Sequence, residues 1–471
     1  MGSARIGGPR RSGGPELEAC SRWPRDPWSG GRGLARGRGG THVPGAVGSS
    51  LPRPDDEVSG LRAWPGALPP EAAADDAARF LLDVVRALHA YGMPAHRLEA
   101  MADALAAQLQ TEAYFFCTPT ALLVALGTPP EQRTFLVRAD SGELDLGKLR
   151  DLDAIANAVA RGDQTPAEGS AAVASVLRQP GPPAALTLFA HAAVAAAAAV
   201  LLGGRLPEAL TASCAGFTVG LLELLARRSQ PLGRLLLPAS ALAAAALSGL
   251  GTALWPDLAR PIATVAGLII LVPGLALTIA MNEIATGHLV SGTSRLSRAF
   301  MAFLLLGFGA ALGSELVALL PFVTDGGAAD RLGPLYTWAA FATCLAPLAV
   351  LLRARLRDAP FFVPAALLAF GAVQQGSQLV DPALAAGAGA LLLGVVGNGY
   401  ARWRDRPAAI VIVPGLLLLV PGSLGFRSIT HFLDEDVLTA VGTAFDVALL
   451  AVALVGGLLV ATLALPPRKA L

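Results

Sequence analysis

Val272-Pro273-Gly274-Leu275 occurs a second time as Val413-Pro414-Gly415-Leu416, and each copy lies in the fourth hydrophobic segment of a run of five. A proline inside a helix removes one backbone hydrogen bond, and the adjacent glycine lets the chain open further. An odd number of segments in each run places the second run upside down in a membrane relative to the first. Helices broken at matching places in two inverted halves indicate a substrate site near the middle of the bilayer. The repeated tetrapeptide therefore predicts a transporter.

The composition places most of the chain in a membrane. The 471 residues are 54% hydrophobic and only 15% charged. Apolar stretches of about 20 residues, enough to cross roughly 30 Å of hydrocarbon, begin only after Pro183. The formal net charge of +1 predicts no affinity for nucleic acid. Scattered cysteines predict unpaired thiols, with no disulfide framework, no metal site and no cofactor; they are Cys20, Cys117, Cys214 and Cys344.

Two segments precede the membrane part. Residues 1–70 are rich in glycine, arginine and proline, which predicts disorder, and they lack the apolar core of a signal peptide. Residues 71–183 predict a small soluble α+β domain that ends in a hinge at Pro180-Gly181-Pro182-Pro183. Its predicted elements are helices over about 77–88, 98–109, 145–161 and 166–178, a β-like stretch over 114–126 and a strand over 134–138.

The remaining chain predicts a polytopic all-α membrane protein with ten transmembrane helices arranged as two inverted five-helix repeats. The first repeat covers residues 184–320 and the second covers 334–465. The predicted spans are 184–203, 207–226, 235–254, 261–281, 299–320, 334–352, 360–379, 382–400, 407–426 and 439–465.

The basic residues predict the orientation of these spans. If the soluble domain is cytoplasmic, the outer loops carry only Arg205, Arg260, Arg331 and Arg427, and the larger set of basic residues falls on the inner loops and the C-terminal tail. This is the positive-inside bias of membrane proteins. The sequence therefore predicts that both termini are cytoplasmic.

The candidate substrate-binding residues lie at the helix breaks. Backbone groups freed at Pro273-Gly274 and Pro414-Gly415 are tolerated in a bilayer only where protein or a water-filled cavity satisfies them. Pro421-Gly422-Ser423 predicts a second break in the ninth span, the opening of a half-helix whose N–H groups and positive dipole end could hold a carboxylate. A simple proline kink is the alternative at each position.

Ionisable residues in or near the spans are the other candidates, because a charge in lipid costs several kcal/mol. Glu283, which follows Asn282, is predicted to bind a substrate amine or a coupling proton. Glu315 and Asp446 are candidate proton carriers, with structural hydrogen bonding as an equal alternative. Arg427 either holds a carboxylate or marks the membrane interface.

For Glu223 a structural role is predicted instead of a functional one, because Arg227 lies one helical turn away. We predict an interfacial ion pair between these two side chains.

The soluble domain carries polar residues where packing alone does not require them: His96, Arg97, Glu99, Thr118 and Thr120. A Cys117/His96 pair raises the alternative of a membrane-anchored hydrolase, but the sequence offers no nucleophile elbow and no third member. The threonines are expected on the polar face of a strand.

The ordered set of motifs resembles the threonine/serine exporter family over residues 75–465. The motifs are Gly92-Met93-Pro94-Ala95-His96-Arg97-Leu98-Glu99, Thr118-Pro119-Thr120, Leu271-Val272-Pro273-Gly274 and Leu419-Val420-Pro421-Gly422-Ser423-Leu424-Gly425-Phe426-Arg427-Ser428. The resemblance implies a secondary transporter, not an enzyme, in a bacterial inner membrane. It implies export of threonine and serine driven by the proton-motive force. Family relatives linked to dicarboxylate export keep a succinate-type substrate as the alternative, and a channel is a further one. The expected partners are the amino-acid substrate, protons and the lipid bilayer, with homo-oligomerisation left open.

Overall fold

The computed structural model describes residues 76–138, 144–321, 323, 324, 327, 332–420, 422–433 and 436–466. The predicted disorder of residues 1–70 falls outside this range, as do Cys20 and Pro421.

The N-terminal domain is a small α+β unit. Three antiparallel strands lie in the order β1-β2-β3, with Phe115 opposite Val124 in the first pair and Val124 opposite Phe135 in the second. The elements are α1 (Asp76–Ala90), α2 (Ala95–Gln108), β1 (Ala113–Thr118), β2 (Ala121–Leu126), β3 (Arg133–Arg138), α3 (Leu146–Ala160) and α4 (Pro166–Leu177). These agree with the predicted elements except in the 114–126 stretch.

Local sequence explains the helices of this domain. The apolar stripe of α1 is buried as its spacing predicts, with Phe80, Val84 and Leu88 each 0% exposed. α4 begins with a capping box in which the Thr165 hydroxyl and the Glu168 carboxylate each bond the other residue's backbone N–H. Such a cap contributes about 1 kcal/mol to helix stability.

The predicted β-like stretch is a hairpin, so the expectation of one strand carrying both threonines is wrong. The Thr118 hydroxyl donates to the Ala121 carbonyl and accepts from the Ala121 N–H, both at 3.0 Å. This local pairing closes a tight turn. Thr120 is exposed in that turn.

The membrane part is helical. Within the described residues, 9 helices are long and apolar enough to cross a bilayer, so the chain is a multi-pass membrane protein. The predicted span 261–281 is split into two short helices, and the count of ten spans stays a prediction. The elements are α5 (Ala184–Leu201), α6 (Leu206–Ala226), α7 (Gln230–Gly251), α8 (Arg260–Gly267), α9 (Gly274–Ala285), α10 (Leu289–Ala318), α11 (Pro334–Leu351), a 3₁₀ turn (Leu356–Asp358), α12 (Ala359–Gly376), α13 (Pro382–Arg404), α14 (Ala409–Leu419), α15 (Gly422–Leu433) and α16 (Val437–Ala464).

The second helix break lies later in the chain than the repeated tetrapeptide predicts. Pro414 lies inside α14, which continues through Gly415 to Leu419. The predicted interruption at Pro414-Gly415 is therefore wrong. The break falls between α14 and α15, where Val420 is extended and a new helix begins at Gly422. Pro273-Gly274 is a break as predicted, because α9 begins at Gly274 after a non-helical turn.

The helices of the two halves pack in matching pairs. α7 packs along α10 as α13 packs along α16, and α8 contacts α6 and α7 as α14 contacts α12 and α13. The contacts between the two halves are also reciprocal: α10 of the first half contacts α15 of the second, and α16 of the second half contacts α9 of the first. The pattern fails at the start of each half, because α5 packs closely on α6 whereas α11 packs mainly on α5.

The N-terminal domain and the membrane helices share one hydrophobic core. The cluster that contains Leu88, Leu98 and Leu152 continues into Val194 of α5 and Cys344 of α11. The domain is thus packed onto one end of the helical part.

Candidate functional site

The two helix breaks meet in space at a pair of glycines. A Cβ atom placed on Gly274 would lie 2.9 Å from the Gly422 Cα and 2.5 Å from a Val420 methyl. A Cβ atom on Gly422 would lie 2.9 Å from a Val272 methyl. The two non-helical segments therefore cross at van der Waals contact, and only glycine allows this approach. The repeated tetrapeptide makes Gly415 the counterpart of Gly274, but the residue that contacts Gly274 is Gly422, at the second break that the sequence predicts in the ninth span.

Both breaks contain the same backbone turn. The Gly274 N–H donates to the Val272 carbonyl at 2.8 Å, and the Gly422 N–H donates to the Val420 carbonyl at 2.9 Å. A bond across one intervening residue is the pattern of a γ-turn, and Pro273 is the central residue of the first turn. A helix begins directly after each turn, α9 at Gly274 and α15 at Gly422. The positive dipole ends of two helices therefore lie at the crossing.

A cavity of about 630 Å³ extends from Leu275, the residue after Gly274, to the N-terminal domain. It is bounded by α9, α13, α14 and α16 of the membrane part and by α2 and α3 of the domain. Along α9 it is lined from Leu275 to Thr286, a distance of roughly 16 Å at 1.5 Å per residue. The cavity therefore runs along α9 from the turn after the first break to His96 and Arg97 of the predicted soluble-domain motif.

Opposite charges line the end of the cavity formed by the N-terminal domain. Arg97 of α2 and Asp153 of α3 both face it, and the Asp153 carboxylate accepts from the Asn157 amide at 3.1 Å. Burial lowers the pKa of the Arg97 guanidinium, and the charge of Asp153 opposes that shift. An arginine stays protonated in such surroundings. This end of the cavity thus holds a cation and an anion that act on each other.

Glu283 does not line the cavity; its carboxylate is fully buried and has four contacts. It accepts from the Ala95 N–H at 2.9 Å, from the Ser291 hydroxyl at 2.8 Å and from the Arg295 guanidinium at 3.1 and 3.0 Å. α2 has Pro94 at its N-cap and no side-chain cap of its own. Glu283 therefore caps α2 from the end of α9, where a carboxylate also meets the positive end of the helix dipole.

A histidine pair extends this contact. The Asn282 amide lies 3.3 Å from His96 Nε2, and His288 Nε2 lies 3.3 Å from a Glu99 oxygen. The other Glu99 oxygen accepts from the Cys117 N–H at 2.6 Å. Burial, followed by the nearby positive charges, lowers the pKa of His96 to about 4. His96 is therefore neutral at neutral pH.

A second contact holds α3 against the segment between α11 and α12. The Leu146 N–H donates to the Leu352 carbonyl at 3.0 Å, and the Gly147 N–H donates to the Arg353 carbonyl at 3.1 Å. The Arg150 guanidinium donates to the Asp358 carboxylate at 3.1 Å. The N-terminal domain is thus fixed to the membrane part at two separate places.

The other predicted site residues lie outside the cavity. Ser423 is half-buried at the start of α15 and Arg427 is exposed farther along it. Glu315 and Asp446 are exposed on α10 and α16. Gly415 packs against Leu393 and α12.

The chemistry of the Cys117/His96 pair argues against a hydrolase. The Cys117 thiol is buried, and burial together with nearby carboxylates raises its pKa. A thiol in such a site is a poor nucleophile, because the thiolate is the reactive form.

Sequence reasoning missed Asp153 and His191. Asp153 lies in an amphipathic helix where surface carboxylates are ordinary, so no local signal distinguished it. His191 lies in the alanine-rich α5, and a lone histidine inside a membrane span was the available signal. Its Nδ1 lies 2.9 Å from the Thr187 carbonyl and its Nε2 lies 3.0 Å from the Glu223 carboxylate. The predicted pair of Glu223 with Arg227 is confirmed, at 2.6 Å.

The fold and the cavity together define a multi-pass membrane protein with two broken helices that cross beside an internal cavity. The family model for threonine/serine exporters matches residues 79–317, and a second, described as Threonine/Serine exporter, ThrE, matches residues 338–464. The chain belongs to the threonine/serine exporter family.

The similar curated proteins are yeast membrane proteins. The chain is 26% identical over 368 residues to Pheromone-regulated membrane protein 10 of Candida albicans, covering 74% of this chain and 33% of that one. It is 24% identical over 360 residues to the protein of the same name from Saccharomyces cerevisiae, covering 74% of this chain and 47% of that one. The chain thus spans about a third to a half of the length of these relatives. No solved structure matches the chain.

Proposed function

We propose that this protein is a secondary transporter that exports threonine and serine, coupled to proton entry. The observation that carries the proposal is the cavity that begins at Leu275, next to the crossed break at Gly274, and ends at the charged pair Arg97 and Asp153. Broken helices that meet near a cavity are typical of transporters, where irregular backbone is tolerated because it lines a path.

The charges suit a free amino acid. An α-amino acid carries a carboxylate and an ammonium group, which require a cation and an anion. Arg97 offers the guanidinium for the carboxylate, and Asp153 offers a carboxylate that can accept from the ammonium as well as from Asn157. The Asn282 and Thr278 side chains along α9 can bond a substrate hydroxyl farther into the cavity. We assign Arg97 and Asp153 to substrate recruitment and Glu283 to docking of the N-terminal domain.

The matching helix contacts support two inverted repeats. Reciprocal contacts of α10 with α15 and of α16 with α9 are those expected of a pseudo-two-fold relation. In this arrangement the halves rock about the crossing, and the cavity is the opening on the side of the N-terminal domain. Arg353 and Arg355, in the segment between α11 and α12, donate to the carboxylates of Asp145 and Asp151 of the domain, and these basic residues support a cytoplasmic position for that side in a bacterial inner membrane.

Efflux of labelled threonine tests the proposal. Right-side-out membrane vesicles preloaded with threonine are expected to lose it faster when an acid-outside gradient is imposed. Arg97→Gln is expected to slow efflux about tenfold or more, because a hydrogen bond to a charged group is worth about 1.5–3 kcal/mol. Arg79→Gln is the matched control, since Arg79 is exposed on α1 in a surface pair with Asp83. Equal efflux from Arg97→Gln and wild type contradicts the recruitment role.

A dicarboxylate exporter is the second candidate, because Arg406 also lines the cavity and could provide a second cation. Asp153→Asn separates the two. It removes the anion that an ammonium requires, so threonine efflux is expected to fall. If succinate leaves preloaded vesicles faster than threonine, and Asp153→Asn does not slow it, the substrate is a dicarboxylate.

A further inference from the structure

His191 of α5 and Glu223 of α6 form a hydrogen-bonded pair between the two helices. The imidazole is 3% exposed and lies in the groove made by two glycines of α6. A Cβ atom on Gly220 would lie 2.9 Å from the imidazole Cγ, and one on Gly216 would lie 2.7 Å from the His191 carbonyl oxygen. Any larger residue at these positions would collide with His191. The helices therefore approach closely where the histidine meets the carboxylate.

The hydrogen bonds of this site require a proton between the two side chains. A carbonyl oxygen only accepts, so Nδ1 must donate to Thr187, at 2.9 Å. Nε2 then faces a Glu223 oxygen at 3.0 Å. Either Nε2 donates as imidazolium or a protonated Glu223 donates to Nε2, and both cases place one exchangeable proton on the pair. Without that proton, a nitrogen lone pair would face a carboxylate oxygen.

We propose that His191 and Glu223 bind and release the proton that is coupled to export. This inference rests on the proposed function. Loading forms an N–H bond at Nε2 with a proton taken from water, and release returns that proton to water while the electron pair stays on the nitrogen. The net charge of the pair changes from −1 to 0 on loading. The two hydrogen-bond distances at the imidazole are those expected of the loaded state.

The charged and titratable groups around the histidine are few. α6 provides Glu223 and Arg227, whose guanidinium bonds the other Glu223 oxygen at 2.6 Å. α8 and α11 also pack on α5. Their titratable side chains are Arg260, Tyr336 and Cys344, and within the described residues none of these makes a hydrogen bond or ion pair with His191. Proton exchange at the pair is thus controlled by Glu223 and Arg227.

The position of the pair connects it to a broken helix. His191 lies about 10 Å along α5 from Ala184, and Glu223 lies within the last turn of α6. One turn farther along α5, Ala195 packs in one cluster with Ala266 of α8. A Cβ atom on Gly267 of α8 would lie 2.6 Å from the Ala215 methyl of α6. Loss of the proton makes the pair repel, and both helices that separate are in contact with the half-helix that leads to the first break.

Two transport measurements on vesicles with the full chain test this inference. His191→Gln and Glu223→Gln are expected to lose the acceleration of threonine efflux by an acid-outside gradient and to keep threonine counterflow without a gradient. Glu131→Gln, on an exposed turn, is the control and should keep both. Retained acceleration in both variants overturns the inference. If the wild-type protein shows threonine counterflow but its efflux is not accelerated by the gradient, the proton site is wrong and the proposed export of threonine is retained. If the wild-type protein shows neither counterflow nor acceleration, the proposed function itself is wrong.

A variant that also loses counterflow could be misfolded, so proton uptake by the purified proteins provides a second measurement. The purified wild-type protein is expected to take up one proton more than His191→Gln across the neutral to acidic range. Equal uptake by the two proteins overturns the proton site, and the expected difference supports it.

Discussion

At the scale of single residues, the carboxylates of this protein differ by what surrounds them. Glu283 was expected to meet a substrate amine, since it follows a helix break and a buried acid usually has a partner. Its partners are in the protein: the first backbone N–H of α2, a serine and the Arg295 guanidinium. Asp153, without any sequence signal, faces the cavity instead.

Glu283→Gln is expected to release the N-terminal domain. The change leaves the Arg295 guanidinium, 11% exposed, without its counter-charge. Breaking a buried pair in this way costs about 3–5 kcal/mol. Faster proteolysis of the segment 178–183 and a lower melting temperature should follow, with Glu131→Gln as the control. A variant that keeps its protease resistance but loses threonine binding would restore the amine-binding role predicted from the sequence.

At the scale of elements, the same dipeptide has opposite effects in two places. Pro414-Gly415 is accommodated within α14, where Gly415 lies against a Leu393 methyl at 2.6 Å from its ideal Cβ position. Gly274 and Gly422 instead allow two non-helical segments to cross. The propensity of Pro-Gly to break a helix is therefore only a tendency, and the neighbouring element decides its effect.

Gly274→Ala is expected to abolish transport by forcing the crossed segments apart. The new methyl would lie 2.5 Å from a Val420 methyl and 2.9 Å from a backbone atom, and the backbone cannot yield easily. Overpacking of this kind costs about 1–3 kcal/mol. Gly456→Ala is the matched control, since among the described residues no atom outside its own helix backbone lies within 4 Å of its Cβ position. Wild-type threonine efflux from Gly274→Ala would contradict a tight crossing.

At the scale of the whole molecule, the N-terminal domain covers one end of the membrane part and lines one end of the cavity. Two of its contacts use helix N-termini: α2 on Glu283 and α3 on the carbonyls after α11. The intervening face lines the cavity. A domain attached in this way can control access to the crossing without contacting it.

Acidification is expected to weaken the docking of this domain through His96. Its pKa is about 4 in the docked state and near the ordinary 6.5 when solvated. Because the docked pKa is the lower one, the stabilisation is fully present above pH 6.5 and is lost as the pH falls toward 4. The full loss is on the order of 3 kcal/mol. Proteolysis of segment 178–183 should therefore accelerate over that range, and His96→Gln should show a smaller dependence on pH.

The sequence by itself determined the apolar spans, the α+β domain and the existence of two helix breaks. Span length, amphipathic spacing and proline chemistry are local properties, and they do not depend on which segments later meet. The residue pattern did not predict the hairpin at Thr118, because it did not specify the hydrogen bonds between the Thr118 hydroxyl and the Ala121 backbone.

Only the tertiary structure decided that Pro414-Gly415 stays within a helix, which carboxylate caps α2 and which carboxylate faces the cavity. Gly422, Glu283 and Asp153 acquired their places from segments more than a hundred residues away in the chain or on another element. Contacts of that kind depend on close packing between elements, and a linear pattern does not encode the approach of one backbone to another.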